Sequence, residues 1–248
     1  TGTSAFALSA GEILSLADGA SSITIGRSTG THAVTVNAAT FRDPLTLRAP
    51  GVGGIFTVAG ALTTAAANGA ITFDGGSGDA GLFTMNAGGS VATGGGALTI
   101  TSDAMDMENA ADNTLTTTGA LTLQPRSTNR PIVVGATGAA TDFALSAGEI
   151  ASLANGASGI TIGRADGAHG ITVSAVTFND PVTIRTPLGG SIAVSGQITG
   201  SGDASVTLDG SGATTTLSAD IVTSGDFINI SDSVVLAGNI TLNTTSGA

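Results

Sequence analysis

Phe6 to Pro50 reads FALSAGEILSLADGASSITIGRSTGTHAVTVNAATFRDPLTLRAP, and Phe143 to Pro187 reads FALSAGEIASLANGASGITIGRADGAHGITVSAVTFNDPVTIRTP. The offset is 137 throughout (143 − 6 and 187 − 50), no gap is needed, and 31 of the 45 positions are identical. Self-similarity on this scale implies an array of repeats, so the architecture has to be read from the period before any local element. Beyond Pro50 the copies drift but still correspond. Gly53-Gly54 matches Gly189-Gly190, and Asp74-Gly75 matches Asp209-Gly210. The chain therefore divides into a first repeat, residues 1–142, and a second, truncated repeat, residues 143–248, of one continuous solenoid.

Each copy opens with a helical signature. In Ser9-Ala10-Gly11-Glu12 and Ser146-Ala147-Gly148-Glu149 the Ser can accept from the N3 amide while the Glu reaches back to the Ser amide, a capping box. Ile13 and Leu16, and likewise Ile150 and Leu153, fall on one face. Asp18-Gly19 and Asn155-Gly156 are the expected stops, because both residue types tolerate positive φ. One or two helical turns are expected there and nowhere else.

A train of short strands follows, each with an apolar-Thr-apolar centre: Ile23-Thr24-Ile25, Val34-Thr35-Val36, Leu45-Thr46-Leu47 and Phe56-Thr57-Val58. Their Thr residues are 11 apart, and Thr161, Thr172 and Thr183 repeat that spacing. Alternation with period two puts the aliphatic side chains on one face and Thr on the other, a core side and a wet side. Asx-Gly turns such as Asn68-Gly69, Asp74-Gly75 and Asp209-Gly210 punctuate the later strands.

Composition separates the two architectures that hold many short strands. The 248 residues include 38 Gly but no Trp, Tyr, Cys or Lys, and Phe is the only aromatic, with eight copies. Tandem sandwiches anchor deep cores on large aromatics, whereas a parallel β-helix needs only aliphatic ladders and small turn residues. The expected fold is all-β: a right-handed parallel β-helix, or β-solenoid, with short helical turns opening each repeat. Its hand follows from the general preference of parallel crossovers.

A formal net charge of −11 excludes nucleic acid as a partner, because an acidic chain cannot grip phosphate backbones. The absence of cysteine excludes a disulfide framework and fits export as an unfolded chain. No apolar run approaches the roughly 20 residues of a transmembrane helix. Thr1 begins inside the repeat pattern, so an export signal or anchor is expected outside this stretch.

Few residues point to chemistry. His32 and His169 are equivalent; each could be a ligand or base, but each stands alone and reads as a turn residue at a strand entrance. Arg27, Arg48, Asp43 and their counterparts Arg164, Arg185 and Asp180 are duplicated too. Asp43-Pro44 and Asp180-Pro181 read as a fixed corner, with Asp capping local amides and an Arg–Asp pair between coils as a further option. Gly75 to Leu82 approaches a Gly-rich calcium nonapeptide, but Asp79 falls one residue early and no second copy follows. Asp103, Asp106, Glu108 and Asp112 form the densest acidic run, which suits calcium or an ordinary solvated loop. The strand Thr could face ice or sugars, though β-propensity alone also places Thr there. No residue is assigned a catalytic, cofactor-binding or metal-binding role.

Ser146 to Gly156, Ile160 to Arg164, Phe178 to Arg185 and Gly238 to Gly247 resemble the repeats of giant bacterial surface exoproteins, the filamentous-haemagglutinin-like strand-repeat family. The resemblance implies a right-handed parallel β-helix rod on, or released from, the bacterial cell surface. The expected function is a non-enzymatic structural segment, an adhesin stalk or a self-stacking fibre or matrix component. Its expected partners are its own copies stacked end to end, and host or neighbouring-cell surfaces or glycans. The competing expectation is a carbohydrate-binding or carbohydrate-cleaving β-helix, from which missing Trp and Tyr remove the usual stacking platforms.

Overall fold

In a computed structural model of the chain, the structure describes residues 6–65, 67, 69–187 and 189–245. Asn68 of the Asn68-Gly69 turn and the last two residues of the Gly238 to Gly247 motif lie outside them. The described residues form 27 strands and two short helices, stacked as nine coils of a parallel β-solenoid.

Chain order fixes the coils. After α1 (Ala10–Leu14), the first coil contains β1 (Ile23–Gly26), β2 (Ala33–Val36) and β3 (Ala39–Phe41). The second contains β4 (Leu45–Arg48), β5 (Ile55–Val58) and β6 (Ala61–Thr64); the third, β7 (Ile71–Asp74), β8 (Leu82–Met85) and β9 (Ser90–Ala92). The fourth contains β10 (Leu98–Thr101), β11 (Ala104–Asp106) and β12 (Leu115–Thr116). The fifth is larger: β13 (Ala120–Gln124), β14 (Ile132–Val134), β15 (Phe143–Leu145) and α2 (Ala147–Ala151). The sixth and seventh contain β16 (Gly159–Gly163), β17 (Gly170–Val173), β18 (Val176–Phe178), β19 (Val182–Arg185), β20 (Ser191–Val194) and β21 (Ile198–Gly200). The eighth and ninth contain β22 (Val206–Asp209), β23 (Thr214–Leu217), β24 (Ile221–Thr223), β25 (Ile228–Ile230), β26 (Ser233–Leu236) and β27 (Leu242–Asn243).

The first side of the coil is one nine-stranded sheet, β1-β4-β7-β10-β13-β16-β19-β22-β25, which crosses from the first repeat into the second without a break. The other two sides are each split into two sheets at the fifth coil. Strands along the first side start 22 to 27 residues apart, except for the 39 residues from β13 to β16 (159 − 120). At about 4.8 Å per layer, nine coils span roughly 40 Å along the axis.

This geometry explains the 11-residue Thr spacing. A 22-residue coil has its two longest strands half a coil apart, so Thr24 and Thr46 fall on the first side and Thr35 and Thr57 on the second. The third side follows only a few residues behind the second; its short strands, such as β3 and β6, carry no periodic signal of their own. In the first sheet Thr24, Thr46, Thr72, Thr99, Thr122, Thr161, Thr183 and Thr207 stand in one unbroken register. The flanking aliphatics, Leu45, Ile71, Leu98 and Leu47, Phe73, Ile100 among them, point inward and are fully buried or nearly so. Phe73 packs edge-on against Phe56 and Phe83 across the interior, with ring centroids 5.4 and 4.9 Å apart.

The glycine of the repeated I-T-I-G-R motif has a backbone reason. Gly26 and Gly163 adopt φ of +107° and +102°, and a Cβ there would lie 2.0 and 2.1 Å from the carbonyl oxygens of Arg48 and Arg185 in the next coil. Only glycine permits that turn beneath the neighbouring backbone.

Both expected capping boxes are present, on Ser9 with Glu12 and on Ser146 with Glu149. The helices stop earlier than Asp18-Gly19 and Asn155-Gly156, however. They end at Leu14 and Ala151, where the Ser15 and Ser152 hydroxyls donate back to the Glu12 and Glu149 carbonyls at 2.7 Å. Positive φ at Gly19 and Gly156 serves the following turn into β1 and β16.

Phe73→Ala should cost about 3–5 kcal/mol, because the cavity opens between stacked coils that cannot close on it. Thr72→Ala, one residue away but outward-facing, should stay within about 0.5 kcal/mol. Denaturant midpoints of the two variants check this; similar losses would contradict the inside–outside assignment.

Candidate functional site

The fifth coil is where the structure departs from a plain stack. After β14 the chain runs through residues 135–142 and returns as β15 on the same side of the coil. β15 pairs in parallel with β14, Ile132 opposite Phe143 and Val134 opposite Leu145, and it packs against β11 of the fourth coil. The other edge of β14 pairs with β17. This side thus holds one layer more than the first, and on the third side the thickness of α2 makes up the difference.

The joint is held by named contacts. Glu149 Oε2 accepts from the Ser146 amide at 2.8 Å to close the capping box, while its Oε1 accepts from the Met107 amide of the fourth coil at 3.0 Å. Thr114 and Leu115 amides donate to the Ser152 carbonyl at 2.8 and 2.9 Å, and the Ala154 amide donates to the Leu115 carbonyl at 2.9 Å. Leu153 forms a parallel bridge with Leu115, extending β12 by one layer. Arg130, itself buried, reaches Asp79 of the third coil at 3.1 Å and the Ala140 carbonyl at 2.6 Å, which anchors the returning loop.

Two depressions flank α2. A groove of about 570 Å³ has Ala147, Ile150, Ala151 and Leu153 on the helix side, with Val176, Phe178, Asn179, Asp180, Gln197 and Thr199 opposite. A second, of about 330 Å³, lies between β11 and β15 and is lined by four carboxylates, Asp106, Glu108, Asp142 and Glu149. Burial at the joint raises the Glu149 pKa, with the nearby Glu108 charge adding in the same direction, against the amide and hydroxyl bonds that lower it. Among the described residues, no group of three or more His, Cys, Asp or Glu could hold a metal ion.

Several of the residues singled out from sequence have structural partners, although the buried Nε of Arg185 has none. Asp43 and Asp180 do form corners, but the amides they accept from belong to the preceding coil. Asp43 Oδ1 accepts from Gly19 at 3.0 Å and Asp180 Oδ1 from Gly156 at 2.8 Å, each 24 residues upstream. Sequence proximity had suggested local amides; a coil of about that length puts the upstream turn directly beside the Asp. Burial raises the Asp180 pKa. Arg48 does bridge coils, with Nε 3.4 Å from Asp74, which also pairs with Arg126. Arg164 chelates Asp166 through two bonds of 2.8 and 2.9 Å.

The acidic run is divided up. Asp103 is buried and accepts from the Gly78 and Ser127 amides at 2.6 Å, tying the third, fourth and fifth coils. Asp106 and Glu108 line the second depression, and Asp112 sits in an exposed turn. Asp79 of the calcium-like Gly-rich run pairs with Arg130. His32 and His169 lie in the first and sixth coils and do not meet. His169 is fully buried, with Nδ1 and Nε2 both 3.4 Å from carbonyl oxygens, of Thr128 and Arg185, and desolvation lowers its pKa. Sequence reading missed Arg130, the Met107 amide and the burial of Glu149, because each depends on contacts 42 to 51 residues away.

The chain matches no protein-family model, no curated protein and no solved structure. Among the described residues, no helix is long and apolar enough to cross a membrane.

Two buried titratable groups, Glu149 and His169, should drive stability in opposite senses. The raised Glu149 pKa means its contribution is complete below the unfolded value of 4.5 and is lost as pH climbs through the folded value. The lowered His169 pKa means its contribution is complete above 6.5 and is lost as pH falls through the folded value. Glu149→Gln keeps the cap and should gain on the parent from about pH 4 to about pH 8. His169→Asn should lose ground to the parent over the same span. Denaturant curves of the three proteins at both pH values test this; parallel pH profiles would reject both assignments.

Proposed function

We propose that the chain is a non-enzymatic structural segment of an extracellular bacterial surface protein, working as an adhesin stalk or as a self-stacking fibre or matrix component. The observation that carries this reading is the first sheet, nine parallel strands in one register through both repeats. Each coil completes the hydrogen bonds of its neighbour and covers its apolar interior, so stability and length grow together as coils are added. The repeat motifs' resemblance to filamentous-haemagglutinin-like exoproteins supports the same reading. Partners are further copies of the chain, met at the coil ends, and host or neighbouring-cell surfaces or glycans. The acidic surface argues against nucleic acid.

The groove beside α2 favours a second reading, a carbohydrate-binding β-helix. Its apolar floor is rimmed by the side chains of Thr177, Asn179, Gln197 and Thr199, which suit sugar hydroxyls. Among the described residues that line it, the carboxylate is Asp180, which accepts from the Gly156 amide.

Electron microscopy and fibre diffraction of concentrated material separate the readings. A fibre should give a meridional reflection near about 4.8 Å along filaments. Discrete particles of constant length at every concentration would remove self-stacking, and selective retention on a glycan array would promote the carbohydrate reading.

A further inference from the structure

On the third side of the coil the ladder of strands is interrupted in mid-rod. β3, β6, β9 and β12 form one sheet and β18, β21, β24 and β27 another, and between them the fifth coil supplies α2 in place of a strand. The edge of the first of these sheets is covered, because Leu153 bridges Leu115 and lays one more stretch of main chain on β12. The edge of the second is open. β18 is its end strand and pairs with β21, Val176 opposite Ile198 and Phe178 opposite Gly200. A parallel strand turns the main chain of alternate residues to opposite neighbours. The Val176 amide donates to the Gln197 carbonyl at 3.0 Å and the Phe178 carbonyl accepts from the Ser201 amide at 2.8 Å, both toward β21. Thr177, between them, presents its amide and carbonyl to the other edge, where neither has a hydrogen-bond partner among the described residues.

That open edge borders the groove of about 570 Å³ beside α2. The helix packs on β18 but makes no hydrogen bond to Thr177. The second repeat also leaves room there. Ala151, exposed on the groove side of α2, stands where α1 has the larger Leu14 (151 − 137). On the opposite wall Asn179 stands where the first repeat has Arg42, so a long charged side chain is absent from the rim.

We propose that the groove takes an extended, uncharged peptide segment of a partner protein, which adds to β18 as a parallel strand and completes the layer that α2 leaves open. Main chain is the occupant that carries an N–H and a C=O at the spacing Thr177 requires, and an open sheet edge is a ready template for it. In this register the peptide residue opposite Thr177 points outward. The residue before it accepts from the Thr177 amide, and the residue after it donates to the Thr177 carbonyl. Those two neighbours turn inward onto the apolar floor, where Ile150, Leu153 and Phe178 lie, so they are aliphatic. The recognised pattern is then the same alternation of aliphatic residues and Thr that builds the solenoid's own strands. The inference goes beyond the stalk and fibre readings, and it gives the groove a different occupant from the sugar of the carbohydrate reading.

The test uses the whole chain and the peptide fluorescein-Thr-Val-Thr-Val-Thr-amide, followed by fluorescence anisotropy, and binding should saturate. The amides of the two valines point to β18 and those of the central and last threonines point away. N-methylation of both valines should therefore weaken binding about tenfold or more, whereas N-methylation of those two threonines, an equal chemical change, should leave it within about threefold. Ala151→Leu gives α2 the residue that α1 already carries, so it fills the groove without disturbing the helix. It should weaken the peptide about tenfold with circular dichroism and the melting midpoint unchanged. Absence of saturable binding, equal losses from the two methylation patterns, or full binding to Ala151→Leu would each overturn the inference. Retention on a glycan array that Ala151→Leu abolishes, with no peptide bound, would overturn it in favour of sugar.

Discussion

The structure depends on the parallel main-chain ladder between successive coils. A strand in this arrangement satisfies half of its amides and carbonyls with the coil before it and half with the coil after it. Neither set can be satisfied within one coil, so a single turn of this chain has no stable fold of its own. Register follows from the same constraint. A slip of one residue would turn Leu47, Phe73 and Ile100 outward and bring Thr46, Thr72 and Thr99 into the interior, so the apolar ladders lock the hydrogen-bond ladder.

Polar residues act where the ladder turns. Asp43, Asp103 and Asp180 each collect amides from a neighbouring coil, and Gly26 and Gly163 let the backbone pass beneath a carbonyl that any side chain would strike. Such groups are costly to leave unpaired in the interior, and each is spent on the spacing between layers. Their chemistry is therefore structural. The carboxylates that a reader of the sequence would collect into a cation site share one coil but not one place: Asp103 is buried on amides of the adjoining coils, Asp106 and Glu108 line a depression, and Asp112 sits in an exposed turn.

The joint at the fifth coil shows how the rod joins repeat to repeat. An extra strand on one side and one helical turn on another keep the first sheet continuous while the other two restart. Glu149 is the polar pin of that joint, serving its own helix cap and the coil beneath at once. Its desolvation, like that of Asp180, raises a carboxyl pKa, whereas that of His169 lowers an imidazole pKa, so the solenoid carries titrating positions of opposing sign.

Much of this was legible in the residues. The 137-residue repeat, the aliphatic-Thr-aliphatic strands and the missing large aromatics point to a parallel β-solenoid, and the S-A-G-E box places both helical turns, because these features are local or periodic. The third side was not legible: strands such as β3, β9 and β12 are two or three residues long and are defined by what pairs with them. The partners of Asp43 and Asp180, the pairing of Arg130 with Asp79 and the burial of Glu149 were equally hidden. Sequence by itself determined which residues face inward and that coils would stack. Tertiary structure alone decided which coil lies against which, since an offset of 24 residues along the chain becomes direct contact only once the coil has closed.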